Sequence, residues 1–189
     1  MSTPLSIVTV SGSLQTPSKT DALLAAVVAA IGRHDSETQH SVIEIAQIGA
    51  LLAGTVSRDQ AAPELEAALD AVGRADLLIV GSPVYKGSYT GLFKHFFDLL
   101  DQKALTDIPV LLTATGGSDR HALVIDHQLR PLFGFFGALA LPLGIYAIPE
   151  HFDGYTIASE KLLDRVELAA RQALFAVGTR QPATVSASV

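Results

Sequence analysis

Residues 9–24 read TVSGSLQTPSKTDALL. An apolar strand passes through Gly12, meets Pro17 and gives way to a helix. The crossing carries five hydroxyl side chains, Ser11, Ser13, Thr16, Ser18 and Thr20. A strand handed straight to a helix is the first half of a β–α–β unit. A helix N-terminus offers unpaired N–H groups and the positive end of the helix dipole, which suits a phosphate. Lys19 adds a charge. Capping by Ser18 or Thr20 is the simpler reading, but a cap uses one hydroxyl and five are present. The stretch is neither a P-loop nor a G-x-G-x-x-G turn.

The same alternation continues in both directions. Leu5–Val10, Ser41–Ile45, Ala75–Gly81, Ile108–Ala114 and Ala138–Ala147 read as strands. Ser18–Gly32, Pro63–Gly73, Tyr89–Leu100, Ser118–Phe136 and Ser159–Val177 read as helices, with apolar residues at helical spacing. Five strands alternating with helices predict a three-layer α/β/α sandwich around a parallel sheet. At this size the flavodoxin-like order 2-1-3-4-5 is expected. One domain is expected over residues 1–180, with 181–189 as a flexible C-terminal tail.

Composition narrows the function. The chain has 189 residues, 49% of them hydrophobic and 17% charged, which is enough to bury a core. A net charge of −6 argues against nucleic-acid binding. The absence of cysteine excludes disulfides and thiol chemistry and suits a cytoplasmic protein. MSTPLSIV lacks the basic and apolar regions of a signal peptide. Residues 131–149 are uncharged and long enough for a bilayer, but Gly134, Gly137, Pro142 and Gly144 interrupt them. They are expected to be a buried helix end and a buried strand. The six histidines show no metal-ligand spacing, so no metal is expected.

Ligands of open α/β sheets sit beyond the carboxyl ends of the strands, at the switch point. The candidate loops are therefore 11–20, 82–91 and 115–121. A response regulator would need acidic residues here, and this chain has Ser-Gly-Ser and Ser-Pro-Val-Tyr. In the second loop Pro83, Val84 and Tyr85 form a flat apolar edge with one polar tip. In the third, Thr115, Gly116 and Gly117 present backbone amides. A phosphate cradle, an aromatic edge and an amide-rich loop together describe a flavin mononucleotide (FMN) site. There is no Trp, and Tyr85 and Tyr89 are the only aromatic residues in these loops, leaving a face open for nicotinamide. No arginine cluster for a 2′-phosphate is visible, so NADH and NADPH stay open.

The segments GSLQTPSKT (12–20), GSPVYKGSYTGLFKHFFDLL (81–100) and TGGSDRHALVIDHQLRP (115–131) resemble the NAD(P)H-dependent FMN reductases. Within these, the likeness is to the reductase components of two-component alkanesulfonate and methanesulfonate monooxygenases. The resemblance implies reduction of FMN by NADH or NADPH and delivery of FMNH2 to a separate monooxygenase. It places Ser11, Ser13, Gln15, Ser18, Lys19 and Thr20 at the phosphate. Pro83, Val84, Tyr85 and Lys86 would border the ring, and Thr115, Gly116, Gly117 and Ser118 would bond its polar edge. Gln15 stands where many relatives carry Arg. The flavin carries the redox chemistry, so no catalytic acid is expected.

The helix 118–136 contains Pro131, which cannot donate to the His127 carbonyl. A kink or a wider, π-type turn is expected there. The resemblance places His127 at the bulge, as in methanesulfonate-type reductases, on an interface between copies. A homo-oligomer is expected, with a tetramer favoured. The chain has one Met and no Cys, a weak hint of a role in sulfur scavenging. A flavin-retaining quinone or azo reductase, a flavodoxin-like electron carrier and a regulatory α/β subunit are the alternatives.

Overall fold

The computed structural model describes residues 4–180, and the expected tail 181–189 lies outside them. Strand β1 (Leu5–Ser11) leads into helix α1 (Lys19–His34), and β2 (Thr38–Glu44) into α2 (Ile45–Gly54). Helix α3 (Pro63–Gly73) precedes β3 (Leu77–Pro83), and α4 (Gly91–Asp98) precedes β4 (Pro109–Thr115). A π-helical turn, Ile125–Leu129, runs into α5 (Arg130–Phe135). Short strands β5 (Leu139–Ala140) and β6 (Ile145–Ala147) follow, then β7 (Phe152–Asp153), β8 (Thr156–Ile157) and α6 (Glu160–Arg180). The sheet is parallel, in the order β2-β1-β3-β4-β5, as expected.

Alternation along the strands divides the core in two. Val8 and Val10 face Phe93, Phe96 and Phe97 of α4 on one side of the sheet. Ile7 faces Leu23, Val27 and Ile31 of α1, with Val166 and Ala170 of α6, on the other. Phe93, Phe97 and Phe133 form a ladder with ring centroids 4.8 and 4.9 Å apart. All three rings are fully buried, each contributing about 1.5–3 kcal/mol by burial. This block anchors α4 beneath the loops at the carboxyl end of the sheet.

Four expectations change. Helix α2 was not anticipated: Ile45, placed in the second strand, is the first residue of a helix whose Ile45 and Leu52 pack into the α4 side of the core. The fifth strand is broken. Both β5 and β6 pair with β4, and residues 141–144 leave the ladder between them. Pro142 lacks the N–H a strand needs. The carbonyls freed there find arginines: Arg130 donates to Leu141 and Pro142, and Arg165 donates to Gly144 at 2.7 and 2.9 Å. The fourth helix is likewise in pieces, a 3-10 turn at Asp119–His121 followed by the π-turn and α5. The π-turn lies just before Pro131 and its i→i−5 bond runs from the Arg130 N–H to the Ile125 carbonyl. Last, Phe152–Ile157 forms a small antiparallel hairpin, turning at Gly154 (φ +58°). Among the described residues no helix is long and apolar enough to cross a membrane.

Candidate functional site

The loops after β1, β3 and β4 meet at one cleft, and its geometry follows from how tightly they are tied. Gly12 passes so close to α4 that a Cβ there would lie 2.7 Å from the Phe93 ring. Its N–H donates to the Gly81 carbonyl (2.7 Å) and its own carbonyl accepts from Thr90 Oγ1 (2.8 Å). Thr20 and Thr115, both buried, join their hydroxyls at 2.7 Å and so lock the first loop to the third. The Val84 N–H donates to the Thr115 carbonyl (2.7 Å), closing the circuit.

At one end lies a cavity of about 440 Å³ lined by Ser13, Gln15, Ser18, Lys19 and Thr20, with Tyr155 opposite. Ser18 caps α1, accepting from the Asp21 N–H at 3.1 Å. Its hydroxyl donates to the Asp21 carboxylate (2.6 Å), which also accepts from Ser11. Ser13 Oγ bonds the Gln15 carbonyl and accepts from the Gln15 N–H. The hydroxyls thus hold the loop in shape. The backbone N–H groups of Lys19 and Thr20, in the first turn of α1, have no partner among the described residues. With the Lys19 ammonium they form a donor set for an anion. That ammonium also stands 5.8 Å from the centre of the Phe152 ring, an attractive cation–π arrangement.

A second cavity of about 230 Å³ continues from the first, sharing Lys19, Pro83, Tyr85 and Thr115. It is bounded by Val84, Gly116 and Gly117 and by Ala147–Pro149 and Phe152. The Gly116 N–H is spent on the Ala147 carbonyl (3.0 Å), whereas those of Gly117 and Ser118 have no partner among the described residues. A Cβ on Gly116 would meet the Tyr146 hydroxyl at 2.0 Å. That hydroxyl donates to the Ser118 carbonyl (2.6 Å). Burial, with the Asp119 carboxylate second, pushes the Tyr146 phenol above its ordinary value.

Eleven of the fifteen residues singled out from the sequence line these two cavities; Ser11, Lys86, Ser118 and His127 do not. Ser11 is buried behind the loop. Lys86 and Gly87, with φ +52° and +86°, form the exposed tip of a tight turn closed by paired bonds between Tyr85 and Ser88. His127 is exposed on the π-turn, where it lines a separate apolar groove of about 500 Å³ with Tyr89, Pro131 and Phe135. Its neighbour Gln128 accepts from Ser88 (3.0 Å), so the groove is tied to the second loop. The hairpin was missed. Phe152 adds a second aromatic wall at the ring end, so that face is less open than expected. Gly154, at the first position of the two-residue turn Gly154–Tyr155, is a hairpin signal that marks it.

The chain matches, over residues 5–153, the family described as NADPH-dependent FMN reductase. It belongs to that family. An FMN reductase (NADPH) from Pseudomonas aeruginosa is 52% identical over 95% of this chain and 96% of its own. The NADH-dependent FMN reductase SfnF from Pseudomonas fluorescens is 51% identical over 95% of each. The solved apo structure of an NADH:FMN oxidoreductase, EmoB, superposes with a TM-score of 0.79 at 33% identity, over 90% of this chain and 89% of that one. The protein is an NAD(P)H:FMN oxidoreductase. Its cleft fits FMN: cationic and N–H donors at one end suit the phosphate, and a flat apolar slot bordered by the Gly117 amide, which has no partner among the described residues, suits the ring.

Proposed function

We propose that this FMN reductase holds the flavin phosphate with Lys19 and the first-turn N–H groups of α1, and the ring between Tyr85, Phe152 and the third loop. Pro83, Val84 and Tyr85 would wall one edge, and the Gly117 and Ser118 N–H groups would donate to the polar edge. FMN supplies the redox chemistry, taking up two electrons from the reduced nicotinamide. The chain's part is to align the two rings and exclude water; no side chain need move a proton.

We further propose that FMNH2 leaves for a separate monooxygenase of sulfonate desulfonation, the methanesulfonate type being favoured. One observation carries this: among the described residues the phosphate cavity is lined by a single permanent charge, Lys19, with the Asp21 carboxylate close behind. Gln15 lines the same cavity without supplying a second. So weakly charged a cradle suits a flavin that exchanges rather than stays. The enzyme would act in the cytoplasm as a homotetramer, with His127 and the exposed Leu123, Phe135 and Leu139 near the contact between copies. The test is a coupled assay with NAD(P)H, FMN and a methanesulfonate monooxygenase. Sulfite release that stops when this protein is omitted is expected. Oxidation of NAD(P)H with no sulfite formed would contradict the role. A monomer in sedimentation at micromolar concentration would contradict the assembly.

A further inference from the structure

Behind the ring end of the cleft lies another cavity, of about 450 Å³, outside the flavin site. Among the described residues its walls carry Arg130, Lys161 and Arg165 and one carboxylate, Asp126. In a chain of net charge −6, three cations against one anion make this a local basic site. Lys161 and Arg165 are one turn apart on α6, but Arg130 belongs to a distant helix, so the three cations are not together until the chain folds. The break in the fifth strand brings them together. Arg130 is held by Asp126 (2.9 Å) and the Leu141 carbonyl (2.8 Å), and Arg165 by the Gly144 carbonyl. These bonds fix both guanidinium planes before any ligand arrives.

Donors are left over. Arg165 keeps its Nη1 group, and Lys161 its whole ammonium, without a partner among the described residues. His151 lines the same cavity. Its Nδ1 accepts from the Ile148 N–H (3.3 Å), which places the ring proton on Nε2. One strand and its turn separate this cavity from the ring cavity. Tyr146 and His151 line the basic side, Ala147, Ile148 and Pro149 the ring side. A dinucleotide with its nicotinamide at the mouth of the ring cavity, stacked on the exposed side of the bound flavin ring, would reach over that wall with its adenosine end.

We infer that this cavity binds the 2′-phosphate of NADPH and gives the enzyme a preference for NADPH over NADH. The ligand is a dianionic phosphate monoester, and the free donors are a guanidinium edge, an ammonium and an imidazole N–H. The inference rests on the placement of nicotinamide at the ring cavity. Relatives about equally similar to this chain are named for NADPH and for NADH, so similarity leaves the choice open.

Lys161 is the residue to change, because it is exposed and holds no structural bond. Steady-state oxidation of both cofactors at saturating FMN would be measured for the wild type and for Lys161→Glu. The wild type is expected to show the higher kcat/KM with NADPH. The variant should raise the KM for NADPH about tenfold more than that for NADH, with kcat little changed. Adenosine 2′,5′-bisphosphate should inhibit the wild type more strongly than 5′-AMP, and the variant should lose that difference. Equal kcat/KM for the two cofactors in the wild type would overturn the proposal. So would a KM that rises equally for both, which would assign the charge to the diphosphate, or one that rises for neither. If neither cofactor is oxidised even with FMN present, the nicotinamide placement itself fails.

Discussion

At the phosphate end of the cleft, most of the polar groups come from one continuous stretch, Ser11 to Asp21, with Tyr155 opposite. At the ring end they come from Pro83–Tyr85, Thr115–Gly117 and Ala147–Phe152, which are distant in sequence. The first end is shaped more from within: Ser11, Ser13 and Ser18 hydrogen-bond within the loop or to Asp21, while Gly12 and Thr20 tie it to Gly81, Thr90 and Thr115. The second is shaped by neighbours, since the Gly116 amide, the Tyr146 hydroxyl and Phe152 each depend on another element. A local loop should therefore tolerate damage that an assembled one does not.

The sharpest way to break this contrast is Gly116→Ala. The new Cβ would collide with the Tyr146 hydroxyl, and overpacking of this kind costs about 1–3 kcal/mol. Urea unfolding should show the loss, and flavin fluorescence quenching should show FMN binding nearly abolished. Adding Tyr146→Phe removes the clashing oxygen and should recover part of both. The absence of recovery would mean that the third loop is held by something other than Tyr146.

At the phosphate end the expected effects are smaller. Ser18→Ala removes the α1 cap and should cost about 1 kcal/mol of stability. FMN should bind several-fold more weakly. Asp21→Asn removes a negative charge from beneath the cradle, and an interaction of about 1 kcal/mol should tighten FMN by roughly fivefold. Riboflavin, which has no phosphate, should not respond. A matching gain for riboflavin would show that Asp21 acts on loop shape rather than on charge.

The same contrast explains what could be read in advance. Strands β1, β3 and β4 are continuous apolar runs, and the first loop is a continuous polar one, so both are legible residue by residue. Helix α2 was hidden because IAQIGALLAG (45–54) has a single polar residue, Gln47, and so shows no polar face, carries Gly49 in its interior, and follows β2 with no intervening loop. The broken fifth strand depends on carbonyls bonded by Arg130 and Arg165, partners that no local pattern connects to it. The hairpin at 152–157 could have been found from Gly154 at the start of its two-residue turn, but its contact with Lys19 could not.

The least effect is expected beneath the first loop, in the β1–β2 pair. Partial desolvation on the otherwise exposed face of β2 holds the His40 imidazole below its ordinary value, and its Nε2 lies 2.7 Å from the Thr9 hydroxyl. The unfolded chain takes up a proton on this residue more readily than the folded one. Stability should therefore be fully present above the ordinary histidine value of about 6.5 and decline as pH falls below it. His40→Gln should flatten that slope in urea unfolding, with no change in FMN affinity. A change in affinity would mean that the sheet edge and the cradle are coupled.

The account turns on the flavin phosphate sitting against Lys19 at the start of α1, and one titration tests it. FMN and riboflavin are compared by fluorescence quenching on the wild type and on Lys19→Gln. FMN should bind the wild type more tightly than riboflavin, and in the variant the gap should shrink by about tenfold while riboflavin holds its affinity. Equal affinity for the two flavins in the wild type, or a gap untouched by the substitution, would contradict it.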